Sequence, residues 1–174
     1  MMAMDRHLTV SGFVVHEGRV AIHWHRKIGM WLPAGGHIDP GEDPVEATLR
    51  EVREEFALET DVMPLHPRIS YRGGPSQLEP PYTILVCPVE PGHEHVDMVY
   101  FLRCLSGFPG KSHDPDNPIE WVDAATLRLG ELALSGCGDP VAIPPDVQAL
   151  GLEAIRLASE IPDRTLKASA STPA

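Results

Sequence analysis

The chain has 174 residues, 43% hydrophobic and 22% charged, the size and balance of one globular domain, which excludes wholesale disorder, a fibrous repeat and a chain of membrane spans. Its 25 acids against 14 lysines and arginines give a net charge of −11, the wrong sign for holding duplex nucleic acid by its backbone. Three scattered cysteines, Cys87, Cys104 and Cys137, suggest neither a disulfide framework nor a cysteine zinc site, and residues 1–7 lack the basic-then-apolar order of a secretion signal, so a cytoplasmic protein without a membrane partner is expected.

Residues 8–15 and 19–24 are β-rich and flank His16-Glu17-Gly18, which predicts a hairpin. A basic link with Arg26, Lys27 and Gly29 leads to Trp31-Leu32-Pro33-Ala34-Gly35-Gly36, read as a short strand entering a loop that continues to Asp43. There a helix begins: Asp43 is an N-cap, Pro44 suits the first helical position, and Glu46 completes a capping box. Phe56 or Ala57 is its expected end. Strands are predicted over 62–71, 82–89, 96–105 and 119–122, divided by breaks such as Gly73-Gly74-Pro75 and Phe108-Pro109-Gly110. Residues 124–134 read as a short helix. Residues 145–161 read as a longer one, with Val147, Leu150, Ala154, Leu157 and Ile161 on one face. Residues 163–174, rich in Ser, Thr, Ala and Pro, are expected to be a frayed tail beyond a domain of residues 1–162.

The helix after Asp43 carries the chemistry. With Glu51 at 0°, Glu54 falls at about −60° and Glu55 at about +40°, while Val45, Leu49, Val52 and Phe56 form an apolar stripe near 100–160°. Three like charges on one arc repel, and a divalent cation relieves them; oxygen ligands suit Mg²⁺ or Mn²⁺. Ala47, one turn before Glu51, leaves room above this face, and Arg50 is placed to pair with Glu54. An isolated Glu triplet is most often a solvated face, but here a glycine-rich loop enters the helix and Glu42 stands just outside it.

The spacing Gly36-x5-Glu42-x7-Arg50-Glu51-Val52-x-Glu54-Glu55 resembles the signature of the Nudix hydrolase family; residues 36–58 carry the likeness, and Leu32-Pro33-Ala34-Gly35-Gly36 supports it. Ala57 departs from the pattern, standing where the family usually has Gly. The resemblance implies an α/β domain, an α/β/α sandwich around a mixed sheet, that hydrolyses a nucleoside diphosphate linked to another group by water attack on phosphorus. It implies Glu51, Glu54 and Glu55 as metal ligands with the Gly35 carbonyl, Glu51 also as a base toward water, Arg50 as the residue orienting the acids, and Gly36 and Glu42 in support. A nucleotide-type small molecule is the expected partner, and a homodimer is left open. Two rivals stand beside this reading: a non-catalytic Nudix-type nucleotide-binding or regulatory module, and a diphosphate isomerase, which the scattered cysteines disfavour.

Family members often recruit a further acid from outside the helix, and Asp114, Asp116 and Glu120 are candidates, each more ordinarily a surface acid. His93, His95 and Asp97 alternate onto one strand face, more readily a polar face or a substrate wall than a zinc site. His23 and His25 alternate likewise, with solvent exposure the default. Arg26, Lys27 and Arg72 are candidates for phosphate contact. Trp31, Tyr71, Tyr82, Tyr100 and Trp121 could stack on a base, although aromatics in strands are more often core.

Overall fold

In the computed structural model, which describes residues 4–105, 118–134 and 139–161, β1 (Asp5–His16) turns through Glu17 and Gly18, both at positive φ, into β2 (Arg19–His25). The predicted hairpin is therefore present, but its two strands pair only at Val15↔Val20 and His16↔Arg19 before they part. Pro33, which has no N–H to give to a ladder, divides the next stretch into β3 (Met30–Leu32), paired with β2, and β4 (Ala34–His37), paired with β1. Gly35 and Gly36 thus lie in a strand, where a loop was expected. The reason is close approach: a Cβ on Gly35 would meet the Val10 carbonyl oxygen at 2.4 Å, so only glycine lets β4 lie against β1 this way.

Helix α1 (Pro44–Phe56) begins as its sequence predicts. The Asp43 carboxylate accepts from the Val45 and Glu46 amides, and Glu46 accepts from the Asp43 amide in return. Ala57 closes the helix in the left-handed region, φ 52° and ψ 37°, its N–H donating to the Arg53 carbonyl. This is the conformation glycine adopts freely and alanine only under strain.

The remaining elements are β5 (Thr60–Val62), β6 (Thr83–Glu90), β7 (His93–Cys104), β8 (Ile119–Asp123), α2 (Ala124–Leu129), β9 (Glu131–Ala133), β10 (Pro140–Ala142) and α3 (Pro145–Glu160). Two expectations are corrected here. The strand predicted over 62–71 stops at Val62, because Pro64 and Pro67 interrupt the ladder and the buried Glu79 carboxylate takes the Leu65 and His66 amides instead, at 2.9 and 3.0 Å. The helix predicted over 124–134 ends at Leu129, where Gly130 at φ 78° turns the chain into β9.

Eight strands form one mixed sheet in the order β3-β2-β1-β7-β5, with β4 on β1, β6 on β7 and β8 on β2; β9 and β10 pair separately. β1 and β7 run parallel over eleven residue pairs, from Asp5↔His93 to Val15↔Arg103. One sheet face buries Val10, Val14, Tyr100 and Leu102 against Ala47, Val52 and Phe56 of α1. The other buries Phe13, Ile22, Val99 and Phe101 with Leu127 of α2 and Val147 and Ala154 of α3. The arrangement is the expected α/β/α sandwich. Trp31 and Tyr100 are core, as strand aromatics usually are, whereas Tyr82 stacks on Phe101 and Tyr71 is half exposed. Ala47 corrects a further expectation: it is fully buried under α1 and leaves no open space above the acids. No helix among the described residues is long and apolar enough to cross a membrane. Asp114, Asp116, Cys137 and the tail at 163–174 lie outside the described residues.

Candidate active site

The later turns of α1 run beside β4, and this sets the carboxylates. A Cβ on Gly36 would meet Glu51 Oε1 at 2.3 Å, so the missing side chain is the space in which the Glu51 carboxylate lies. Glu55 reaches the adjacent residue: its Oε2 accepts from the Gly35 amide at 2.9 Å. Glu51 and Glu55 are mostly enclosed, with 14% and 24% of their side-chain surface exposed, while Glu54 is 60% exposed at the solvent edge. The helix thus presents an inner pair and an outer third acid.

Arg50 ties this group together, though not chiefly in the expected way. Its strongest partner is Glu42, bonded by Nε to Oε1 at 2.8 Å and by Nη2 to Oε2 at 3.0 Å in a two-pronged fork. Nη1 donates to Glu51 Oε1 at 2.8 Å and only distantly to Glu54 Oε2, at 3.4 Å; Nη2 also donates to the His37 carbonyl. The fork lowers the Glu42 pKa, the hydrogen bonds from Arg50 being the largest cause. Glu42 therefore anchors the arginine, which in turn orients Glu51.

Glu55 is the most perturbed of the acids, its carboxyl pushed up to about 7, chiefly by burial, then by the charges of Glu51 and Glu54 and against the pull of the Gly35 amide. Beside it lies His23, with Nε2 at 3.8 Å from Glu55 Oε2. His23 corrects the expectation of a solvent-facing ring, since it is 3% exposed and packed edge-on against Phe56. Burial, then the nearby His25, lowers its pKa to about 4. Although the separation is short enough for an ion pair, the ring is neutral at pH 7.

A cleft of about 390 Å³ opens over Gly35 and Gly36, within the range of ~300–1,000 Å³ usual for small-molecule sites. Its wall combines apolar residues such as Phe13, Leu85 and Leu150 with His23, Asp97 and Asp146. Asp97, expected on a polar strand face or a substrate wall, lines the cleft, is buried and accepts from Thr9 Oγ1 at 2.8 Å. Cys87 also borders the cleft, its thiol pushed up by burial and by Asp97 and Asp146. Asp146 was not anticipated; its place before Val147 reads as an ordinary acid in the first turn of α3. Arg26 and Lys27 are exposed on the turn between β2 and β3, whose Ile28 reaches the cleft, and Arg72 is exposed on the segment between β5 and β6. Glu120 pairs with Ile22 and alternates with Val122, which puts it on the sheet face opposite α1 and apart from the helical acids.

His95 and His37 border the same cleft, and with them His7 and His93 form a cluster of four rings. Burial, then His37, His93 and His7, lowers the His95 pKa, while Asp97 opposes the shift.

With this geometry in view, the comparisons with known proteins are informative. The NUDIX domain family matches residues 5–136. The chain belongs to the NUDIX family of hydrolases. A solved hydrolase of that family from Clostridium perfringens superposes with a TM-score of 0.66 at 27% identity, over 88% of this chain and 99% of that one. Among curated proteins, the chain is 55% identical over 29 residues to the asymmetrical bis(5′-nucleosyl)-tetraphosphatase of Mus musculus, a stretch covering 17% of this chain and 20% of the relative. It is 42% identical over 36 residues to the enzyme of the same name from Caenorhabditis elegans, over 21% of this chain and 26% of that one. These matches span about a fifth to a quarter of the curated relatives' length.

Proposed function

We propose that the protein hydrolyses the diphosphate linkage of a nucleotide-type molecule, a nucleoside diphosphate joined to a further group, using Mg²⁺ or Mn²⁺ held by Glu51, Glu54, Glu55 and the Gly35 carbonyl. The observation that carries this reading is the placement of Glu51 and Glu55 against Gly36 and Gly35, which border the cleft. The donor set fits such an ion. It is all oxygen, and the Glu55 carboxyl, raised chiefly by burial and further by the charges of Glu51 and Glu54, would be held ionised by a cation beside it. When bound, a divalent ion neutralises diphosphate oxygens and lowers the pKa of a bound water.

The remaining work falls to the chain itself. Glu42 and Arg50 hold Glu51 in one orientation, and Glu51 is the candidate to take the proton of the attacking water. The Gly35 amide holds Glu55, and neutral His23 shields its inner edge. The cleft receives the nucleoside part, with Asp97 and Thr9 as fixed polar groups. The short likenesses to the two tetraphosphatases support including dinucleoside polyphosphates among the substrates to try.

The test is a panel of nucleotide-sugars, nucleoside triphosphates and dinucleoside polyphosphates with Mg²⁺, scored by product identification. Hydrolysis should vanish almost entirely in the Glu54→Gln/Glu55→Gln double variant while its circular dichroism stays native. Full activity in that variant would overturn the proposal. Nucleotide binding by the wild-type protein with no turnover of any substrate would favour the non-catalytic module.

A further inference from the structure

Sheet register collects histidines from three strands on the face opposite α1. In the parallel β1–β7 pairing His7 stands opposite His95, and Asp5 opposite His93; in the antiparallel β1–β4 pairing His37 stands opposite Thr9, two residues on from His7. One ligand atom from each of His7, His93 and His95 lies within 4.8 Å of the others. Ring centroids are 4.6 Å apart for His7 and His93 and 5.1 Å for His93 and His95. His93 Nε2 is buried and has no hydrogen-bond partner, an arrangement that leaves a polar atom unsatisfied unless something else meets it. His7 Nε2 faces Asp5 Oδ2 at 3.3 Å, and Nδ1, which is 3.2 Å from His37 Nε2, is the nitrogen that would exchange its histidine contact for an ion. A carboxylate behind a histidine is the usual outer support of a metal-bound imidazole.

We propose that His7, His93 and His95 form a second metal site, separate from the carboxylate helix, for a borderline transition ion such as Zn²⁺. Imidazole nitrogens suit Zn²⁺, Ni²⁺ or Cu²⁺, whereas Mg²⁺ and Mn²⁺ prefer carboxylate and water, so the two sites sort ions by ligand chemistry. Three protein ligands leave a fourth tetrahedral position open. Because His95 borders the cleft, that position is where water or a phosphate oxygen of a bound molecule would complete the shell. The inference is independent of the proposed hydrolysis, since it uses none of the α1 acids.

The test is direct Zn²⁺ binding to the full chain in excess Mg²⁺, followed by competition with a chromophoric chelator, together with the visible spectrum after Co²⁺ loading. One equivalent of Zn²⁺ should bind, and Co²⁺ should give the intense bands of a tetrahedral nitrogen site. His7→Ala and His95→Ala should each weaken Zn²⁺ binding at least about tenfold, and Glu54→Gln/Glu55→Gln should leave it unchanged. The Co²⁺ spectrum of the wild-type protein needs no variant to fold. The proposal is overturned if less than one equivalent binds, if Co²⁺ gives only weak octahedral bands, or if the glutamate variant loses Zn²⁺ and the histidine variants keep it.

Discussion

Replacing Glu55 with Gln should stabilise the metal-free protein at alkaline pH while removing its activity. An unfolded glutamate titrates near 4.5 and folded Glu55 near 7, so between those values the folded chain holds a proton that the unfolded chain has released. The stabilisation from the protonated form is complete below pH 4.5 and is lost as pH rises through 7. The shift of roughly 2.5 pH units has a ceiling of about 3 kcal/mol at about 1.36 kcal/mol per unit. With a quarter of the side chain exposed and the charge-assisted bond from the Gly35 amide weakened in the variant, about 2 kcal/mol is the working figure. For a chain of this size that raises Tm by about 4–8 °C. The assay is thermal unfolding of both proteins in EDTA at pH 8 and pH 5. The variant should melt higher at pH 8 and level with wild type at pH 5, and excess Mg²⁺ at pH 8 should narrow or reverse the gap by stabilising wild type alone. Equal melting at pH 8, or the same gap at pH 5, would refute the argument that burial and neighbouring charge strain this carboxylate.

Three further outcomes follow from the geometry. Gly36→Ala should displace the Glu51 carboxylate, whose Oε1 lies 2.3 Å from the new Cβ, and weaken the Mg²⁺ dependence of hydrolysis by about tenfold or more, measured as the Mg²⁺ concentration for half-maximal rate. Ala57→Gly should relieve the left-handed residue at φ 52° and raise stability by about 1 kcal/mol in urea unfolding without changing turnover. The His23 contribution to stability should fall by up to about 3 kcal/mol as pH drops from 6.5 to 4, because unfolded His23 takes up a proton that the buried ring refuses until about pH 4; Glu55 moves wild type the opposite way over this range, so the readout is the stability difference between wild type and His23→Gln at each pH.

The parts of the molecule that were legible in advance are those set by neighbours in sequence. Asp43, Pro44 and Glu46 specify the start of α1 through contacts within four residues, and the spacing of Glu51, Glu54 and Glu55 follows from helical rotation alone. The sandwich architecture came from the resemblance that residues 36–58 carry, since the strand and helix patterns by themselves fix no layer order. The misreadings arise where distant chain decides. Residues 62–71 carry β-forming residues, but buried Glu79, more than a dozen residues away, captures their amides. His23 looks like any polar residue in an alternating strand until Phe56 and Glu55 cover it. His93 and His95 were visible as a pair, whereas His7 and His37 join them only through strand pairing that no local pattern announces. The fork from Arg50 to Glu42 spans eight residues and depends on how the loop returns to the helix, so the nearer Glu54 seemed the better partner.

The parallel union of β1 and β7 also bears on the order in which the protein becomes competent during synthesis. Thr9 and Asp97 are 88 residues apart, so the cleft wall cannot assemble until β7 has emerged, whereas α1, with its self-contained cap, forms from local chain. A nascent chain ending before His93 carries every carboxylate of α1 but lacks the β7 and α3 parts of the cleft wall. The wall is finished later still, when α3 brings Asp146 and Leu150, so an unfinished chain has the α1 acids well before it has the complete cleft.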